Sequence, residues 1–497
     1  MTKSKLASAL AAIGLATAVA LVLAAPTPPT PIPDIGTSPG PAFIGTAGPG
    51  KHVTARRVPR HPFMARNGRS NIHDDAYMTD TYRWRGPIGR NMQRVSAYFP
   101  PGSDCASVTF DREGRIISVC VSLTQPTLRM FDPVTLDILA QFSLPPRTPS
   151  TNPFQDFSGG GYFYLDDQDR AVIPTTTHHI YVVAEQGTDA NASFVLEHDY
   201  DLTAVVPTMD KMTSALPDWS GRIWFVTLGG IVGTVDPATG TVRSLATGEE
   251  IENSFAVDKT GGVFIVSDVA MYRFDADATG TPTVTWREVY PNSGIHKPGQ
   301  VDAGSGTTPT LMGPDLVSIT DNADPMDVVV YRRARVVSGD RLVCTQPVFS
   351  AGASATENSL IGAGRAMIVE NNYGYSGPTA TSNGATTTPG IERVDMDADG
   401  QGCHLVWHSD EIAPSVVPKL SLSTGLLYAY TKPADPVNHN DTWYLTAIDF
   451  RTGQTRWSQR AGTGFYYNNN YAPLTIGPNR IAYVGALGGL IALHDGP

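Results

Sequence analysis

The sequence Ala447-Ile-Asp-Phe-Arg-Thr-Gly-Gln-Thr-Arg-Trp457-Ser-Gln-Arg-Ala-Gly462 predicts an apolar strand, a tight polar turn and a second strand that carries a tryptophan. Weaker copies of this hairpin recur at 235–240, 274–286 and 394–407. One such hairpin cannot bury its own apolar face. A repeat of roughly 40 to 60 residues is therefore typical of a radial array in which neighbouring units pack together.

The repeat extends over residues 91–497. Eight third strands end near the positions Asp132, Glu185, Asp236, Asp275, Tyr331, Asp395, Asp449 and Asp495. We therefore predict an all-β propeller, with eight blades favoured over seven. The last repeat lacks a fourth strand, and residues 95–99, just before the first repeat, would complete it and leave no open edge.

The segment 447–462 resembles the A-x-D-x-x-T-G-x-x-x-W-x-x-x-x-G docking motif of the quinoprotein-like (pyrroloquinoline-quinone-type) propellers. The match is full once and degenerate elsewhere; Ser244 stands at the tryptophan position of the third repeat. The resemblance implies an eight-bladed fold in which the tryptophan packs across the gap between blades. Quinoprotein alcohol dehydrogenases stack an adjacent cysteine pair on the quinone. This sequence has no such pair, so PQQ is not expected.

Residues 1–25 combine two lysines with an uncharged, mainly apolar run over residues 6–25. This pattern is typical of a signal peptide or an N-terminal membrane anchor, and both predict an extracytoplasmic protein, secreted or held at the cell envelope. Residues 26–90 are expected to form a Pro/Gly-rich tether and an irregular lead-in. The net charge of −11 argues against nucleic-acid binding, and membrane contact is expected only through residues 6–25 if they are not cleaved.

Four cysteines in an exported chain predict two disulfides. A four-residue turn at 111–114 would pair Phe110 with Arg115, which places Cys105 directly opposite Cys120 and within disulfide reach. Cys344 and Cys403 then pair by elimination, on the outer strands of neighbouring blades. The alternative for this second pair is two buried free thiols.

Acid and amide side chains cluster where innermost strands begin and where second strands end. In a propeller these two places lie on one face, so the oxygens are expected to meet at the mouth of the channel. Such oxygen ligands suit Ca²⁺, and the set resembles the calcium sites of paraoxonase and strictosidine-synthase-like propellers. The alternative is that they cap strands and line a water-filled channel. The predicted ligands are Glu252, Asn253, Asp321, Asn322, Glu357, Asn358 and Glu370.

Two further motifs bear on chemistry. The run 395–400, Asp-Met-Asp-Ala-Asp-Gly, matches the first half of a calcium loop, but Val406 stands where that loop needs a glutamate, which favours a simple turn. His178 and His179 follow the second strand of the second repeat and are candidates for a general base or nucleophile at the channel mouth.

These observations favour an exported or envelope-anchored propeller that binds a protein partner or a small ligand at its channel face, without chemistry of its own. The alternative is a Ca²⁺-dependent hydrolase or lactonase-like enzyme, in which the metal would polarise an ester carbonyl. A quinone-dependent dehydrogenase is a third and weaker hypothesis. The fold by itself does not choose among them.

Overall fold

The computed structural model describes residues 29–36, 39–148, 153–156, 158–188 and 191–497. The predicted leader, residues 1–25, lies outside the described residues. The helical elements described are short 3₁₀ turns at Pro153–Gln155, Pro378–Thr381 and Phe465–Tyr467. In the described part of the chain, no helix has the length and apolarity that crossing a membrane requires.

The strands follow one another along the chain, four to a repeat. Three precede the repeats: β1 (Phe43–Gly45), β2 (Thr81–Tyr82) and β3 (Gln93–Tyr98). Blades 1 and 2 contain β4 (Asp104–Phe110), β5 (Ile116–Val121), β6 (Thr127–Phe131), β7 (Ile138–Ser143), β8 (Tyr164–Leu165), β9 (Ala171–Pro174), β10 (His179–Gln186) and β11 (Ser193–Asp201). Blades 3 and 4 contain β12 (Met212–Pro217), β13 (Ile223–Thr227), β14 (Ile231–Val235), β15 (Val242–Ala246), β16 (Ala256–Val257), β17 (Val263–Val266), β18 (Ala270–Ala276) and β19 (Pro282–Val289).

The second half of the ring repeats this order. Blades 5 and 6 contain β20 (Thr310–Met312), β21 (Leu316–Thr320), β22 (Asp327–Arg332), β23 (Leu342–Pro347), β24 (Ile361–Ala363), β25 (Ala366–Glu370), β26 (Ile391–Met396) and β27 (Cys403–Ser409). Blades 7 and 8 contain β28 (Lys419–Ser421), β29 (Leu426–Thr431), β30 (Thr442–Asp449), β31 (Thr455–Thr463), β32 (Leu474–Ile476), β33 (Ala482–Ala486) and β34 (Gly489–His494).

Among the described residues these strands form eight sheets, each antiparallel within its repeat. Blade 8 takes β3 as its outermost strand, with Gln93 opposite His494 and Tyr98 opposite Gly489. The eight-bladed all-β fold and the closure of the ring by an N-terminal strand are therefore confirmed. Blade 7 alone is larger, because β1 pairs with its outer edge and β2 pairs in parallel with its innermost strand.

The tryptophans of the repeated hairpin pack at blade boundaries. The indole N–H of Trp407 in blade 6 donates to the carbonyl oxygen of Phe450 in blade 7 at 3.0 Å. In the best-matching copy, however, Trp457 packs against the lead-in, with its ring 6.2 Å from that of Phe43 and beside Gly89. Gly89 has φ of 86° and a Cβ there would lie 3.0 Å from the indole, so the close approach requires glycine.

The structure places both predicted cysteine pairs at disulfide distance. Cys105 lies opposite Cys120 with Cα atoms 3.8 Å apart, and Cys344 and Cys403 join the outer strands of blades 5 and 6. The predicted register of the first hairpin is wrong by one residue, because Phe110 pairs with Ile116. A bulge before residue 107 shifts the register back, and the cysteines face each other as expected.

Residues 61–84 run through the central channel, and we call them the channel segment. Its carbonyl oxygens accept hydrogen bonds from the backbone N–H groups of six innermost strands, at Phe110, Leu165, Val257, Leu311, Gly362 and Leu420. The segment also contacts blade 8, where the indole N–H of Trp84 donates to the carbonyl oxygen of Ile476 at 2.9 Å. The channel segment therefore fills the end of the channel where the innermost strands finish.

Candidate functional site

A cavity of about 230 Å³ lies at the opposite end of the channel, where innermost strands begin. We call it the mouth cavity. Ile72 and His73 of the channel segment line it from below, and its other lining residues are largely aromatic or aliphatic. Polar wall positions include Asp104, Tyr162, Glu357, Asn358 and Ser359, and apolar ones include Val121, Leu123, Phe154, Val417, Phe465, Tyr466 and Leu487.

Asp104 and Glu357 contribute buried carboxyl groups to this wall. One oxygen of each, Oδ1 and Oε1, has no hydrogen-bond partner among the described residues. Burial raises the pKa of both carboxyls well above their usual values, and the nearby Asp302 and Glu252 carboxylates add to the rise at Glu357. A raised pKa favours the protonated form, in which each group carries an O–H that can donate a hydrogen bond.

The seven residues predicted to bind calcium lie in three separate places. The first contains Glu252, Asn253 and Glu357, with Asp302 beside them, which the sequence did not single out. The Tyr162 hydroxyl donates a hydrogen bond to the side-chain amide oxygen of Asn253 at 2.9 Å. Burial, with the Asp302 carboxylate as the next contribution, raises the pKa of Glu252 to about 8.

The second place lies within blade 6. The Asn358 amide donates to the carboxylate of Glu370 and, at 2.9 Å, to the carbonyl oxygen of Val416 in the loop before blade 7. Asn372 donates to the same Glu370 oxygen at 3.1 Å. Burial raises the pKa of Glu370 to about 8. This group braces the junction between two blades, and of its members Asn358 lines the mouth cavity whereas Glu370 does not.

The third place is the loop after β21. Asp321 accepts hydrogen bonds from the backbone N–H groups of Ala323 at 3.0 Å and Asp327 at 2.8 Å, as a residue that caps a turn does. Asn322 donates to the carbonyl oxygens of Ile295 and Ala303. Both side chains hold the loop together through backbone groups.

Within the described residues, one set of three His, Cys, Asp or Glu side chains brings its ligand atoms within 4.8 Å of one another: Asp111, Glu113 and Glu185. Arg115 lies among them, 2.5 Å from Asp111 and 2.6 Å from Glu185, and already supplies a cation. Asp111 and Glu113 lie in the turn between β4 and β5 and Glu185 lies on β10 of the next blade, and none of the three is among the predicted ligands. Calcium binding at the mouth stays a prediction.

The acidic run 395–400 forms the turn between β26 and β27. Asp395 pairs with Arg393 at 2.6 Å, and Asp397 lies 2.6 Å from the His404 ring. Asp399 accepts a hydrogen bond from the backbone N–H of Gln401 at 2.9 Å. The three carboxyl groups therefore have three different partners.

Neither predicted histidine is among the residues that line the mouth cavity in the described structure. His178 has φ of 62° in the turn before β10, and its ring lies 2.9 Å from the carbonyl oxygen of Asp210 in the next blade. His179 is paired with Asp199 across the two outer strands of blade 2. Both rings therefore have structural contacts, and a catalytic role for either stays a prediction.

The cavity instead presents His73, which the repeat pattern could not reveal because it lies in the irregular lead-in. Its Nδ1 is 3.1 Å and 3.2 Å from the two carboxylate oxygens of Asp80, and its Nε2 is 3.4 Å from the Ser359 hydroxyl. Lys419 of β28 also bonds to Asp80 and lies 3.4 Å from Asp74. The available signal was the concentration of His and Asp at 73–80 in a segment too short to form its own core.

No family model matches this sequence. An uncharacterized protein of Archaeoglobus fulgidus is 30% identical over 308 residues, which cover 55% of this chain and 59% of that protein. The chain thus spans less than two thirds of that relative.

Solved structures share the propeller architecture at low identity. BamB from Moraxella catarrhalis matches over 65% of this chain and 95% of its own, with 11% identity and a TM-score of 0.40. Sqt1 of Chaetomium thermophilum, bound to the N-terminus of ribosomal protein L10, matches over 77% and 94%, with 9% identity and a TM-score of 0.48. Streptogramin B lyase matches over 81% and 97%, with 10% identity and a TM-score of 0.36.

Proposed function

We propose that this chain is an exported propeller that binds a small, mainly apolar ligand in the mouth cavity and recognises a hydrogen-bond acceptor, such as a carbonyl oxygen, on that ligand. The observation that carries the proposal is the pair of buried carboxyls, Asp104 and Glu357, on an otherwise largely apolar wall. A buried polar atom without a partner is costly. A ligand oxygen would supply the missing partner to each.

The chemistry of the wall favours a neutral acceptor over a cation. A carboxyl kept protonated by burial donates a hydrogen bond, and it ionises only if a cation enters to offset the loss of solvation. Pockets that are mostly apolar with a few convergent polar groups are typical of small-molecule sites. The predicted disulfides and leader support the extracytoplasmic location.

Calorimetric titration with acetophenone and ethylbenzene tests the proposal, because the two have similar shape and only acetophenone carries an acceptor oxygen. We expect acetophenone to bind about tenfold more tightly, the effect of roughly 1.4 kcal/mol that one hydrogen bond to a buried group can supply. Asp104→Val or Glu357→Met should remove most of this preference, whereas the control Glu370→Gln should keep it. Equal affinities, or tighter binding of benzylamine than of acetophenone, would contradict the proposal.

Calcium binding is the second candidate, favoured by the proximity of Glu252, Asp302 and Glu357: beside burial, Asp302 raises the pKa of both glutamates, and Glu252 raises that of Glu357. A cation would relieve this repulsion and stabilise the folded chain by mass action. The test is thermal melting in calcium and in excess chelator, measured for wild type and for the double variant Glu252→Gln with Glu357→Gln. A calcium-dependent rise in Tm that the double variant lacks supports a calcium site, and identical melting curves contradict it. A metal-dependent hydrolase requires in addition ester or lactone turnover that disappears in the double variant.

A further inference from the structure

We infer that Ser359, His73 and Asp80 form a nucleophile, general base and orienting acid at the base of the mouth cavity, and that the chain hydrolyses small carboxylic esters there. The inference rests on the mouth cavity being the ligand site proposed above. It adds a reaction to binding, and it requires no metal.

The geometry follows the roles that such a triad needs. Nδ1 of His73 faces the Asp80 carboxylate at 3.1 Å, which fixes the proton on Nδ1 and leaves Nε2 as the acceptor. Nε2 in turn faces the Ser359 hydroxyl at 3.4 Å. This distance is long for a hydrogen bond, and such contacts are commonly long before substrate binds.

The three side chains come from two parts of the chain, His73 and Asp80 from the channel segment and Ser359 from the residues just before β24. Asp80 is fully buried and bonded to Lys419, whose ammonium also donates to the carbonyl oxygen of Ile72 at 2.5 Å. The Ser359 hydroxyl oxygen accepts a hydrogen bond from the backbone N–H of Thr308 at 3.2 Å. Ser359 and His73 both line the mouth cavity, so a bound molecule can contact them.

The reaction balances with an ester and water as its reactants. The Ser359 oxygen bonds to the ester carbonyl carbon as its proton passes to Nε2 of His73. The bond from that carbon to the alcohol oxygen then breaks, and the alcohol leaves with the proton from Nε2. Water, deprotonated by His73, attacks the acyl-serine and releases the acid and Ser359. Glu357 lines the same cavity with its Oε1 unpartnered among the described residues, and its carboxyl, when protonated, is a donor available to the carbonyl oxygen.

The test uses the full chain with p-nitrophenyl acetate and a fluorophosphonate that labels activated serines. We expect hydrolysis by wild type and a labelled peptide that contains Ser359. Ser359→Ala and His73→Gln should each lower kcat/KM at least about a hundredfold, the scale of general-base catalysis. The control Ser293→Ala removes an exposed serine that does not line the cavity and should keep full activity and labelling.

Binding and chemistry are separated by the Ser359→Ala variant. It should still bind acetophenone as wild type does, because the proposed donors remain. Wild type that binds acetophenone yet neither hydrolyses the ester nor takes the label would overturn the triad while the binding site stands. Loss of acetophenone binding in wild type would instead overturn the site. Hydrolysis that persists in Ser359→Ala, or a label on another serine, would also refute the triad. Mapping the labelled peptide uses wild type alone, so this result does not depend on whether a variant folds.

Discussion

The two ends of the channel differ in how they accommodate buried charge. At the end filled by the channel segment, carboxylates have cations: Asp80 with Lys419, and Asp258 with Arg333 at 3.0 Å. At the mouth, the buried Arg147 and Asp156 pair at 3.1 Å, but no ion pair joins Asp104 or Glu357 to a described Lys or Arg, and each keeps an oxygen without a described partner. The carboxyls at the filled end therefore hold the chain together, whereas these two at the mouth remain available to a ligand.

This difference separates structural from functional residues more clearly than residue type does. A buried ion pair is strongly destabilised when one partner is removed, because the other charge is left without solvent. An unpaired buried acid is itself destabilising, and natural chains retain such groups mainly at sites of function. Mutations at either end of the channel test this difference.

The largest effect is expected from Lys419→Met. It leaves Asp80 and the neighbouring Asp74 buried without their cation, and we expect the free energy of unfolding to fall by about 3–5 kcal/mol. Chemical denaturation measures this change. Adding Asp74→Asn to the variant should recover part of the loss, and a single variant within about 1 kcal/mol of wild type would show that the pairs do not hold the channel segment.

The unpaired acid at the junction of blades 6 and 7, beside the mouth residue Asn358, should respond to pH in the opposite sense to a salt-bridged acid. Burial raises the pKa of Glu370 from 4.5 in the unfolded chain to about 8, so the folded state binds the proton more tightly. Its contribution to stability is complete below about pH 4.5 and is lost as pH rises towards about 8. Relative to Glu370→Gln, wild type should lose about 1.4 kcal/mol between about pH 6 and about pH 7. Parallel pH profiles for the two proteins would contradict the raised pKa.

Removing an unpaired acid should stabilise the fold. Asp104→Val replaces a buried carboxyl that has an oxygen without a partner among the described residues, at the start of a strand where a β-branched residue is favoured. We expect the free energy of unfolding to rise by about 1 kcal/mol while acetophenone affinity falls. A destabilised Asp104→Val protein would mean that this carboxyl is structural.

The sequence predicted the fold well because its signals are local and repeated. Turns of the form Asp-x-x-Gly recur, and in the structure Asp218 and Asp258 accept backbone hydrogen bonds within such turns. The channel segment carries no such repeat. Its central contact joins Asp80 to Lys419, 339 positions later, and no local pattern encodes a contact at that distance.

The same dependence on local signals explains why the site was predicted only in part. Strand order places Glu357 and Asn253 at one face, and the structure brings them together near the cavity. Whether Asp321 and Glu370 join them depends on loop conformations that the sequence does not specify. Ser359 directly follows the predicted ligands Glu357 and Asn358 in the sequence, but its partner His73 is 286 positions earlier. Two residues that far apart in the sequence can be recognised as neighbours only in the folded structure.

The smallest effect is expected where a charged pair faces water. Arg335 bonds to Asp275 at 2.7 Å, but its side chain is 58% exposed, and Asp275 keeps Arg273 at 2.9 Å after Arg335 is removed. Arg335→Met should therefore change the free energy of unfolding by less than about 1 kcal/mol, as exposed pairs do. Denaturation beside Lys419→Met makes the contrast direct, since each variant removes one cation from a carboxylate. Equal losses would mean that burial is not what distinguishes these pairs, and the comparison between the two ends would lose its physical basis.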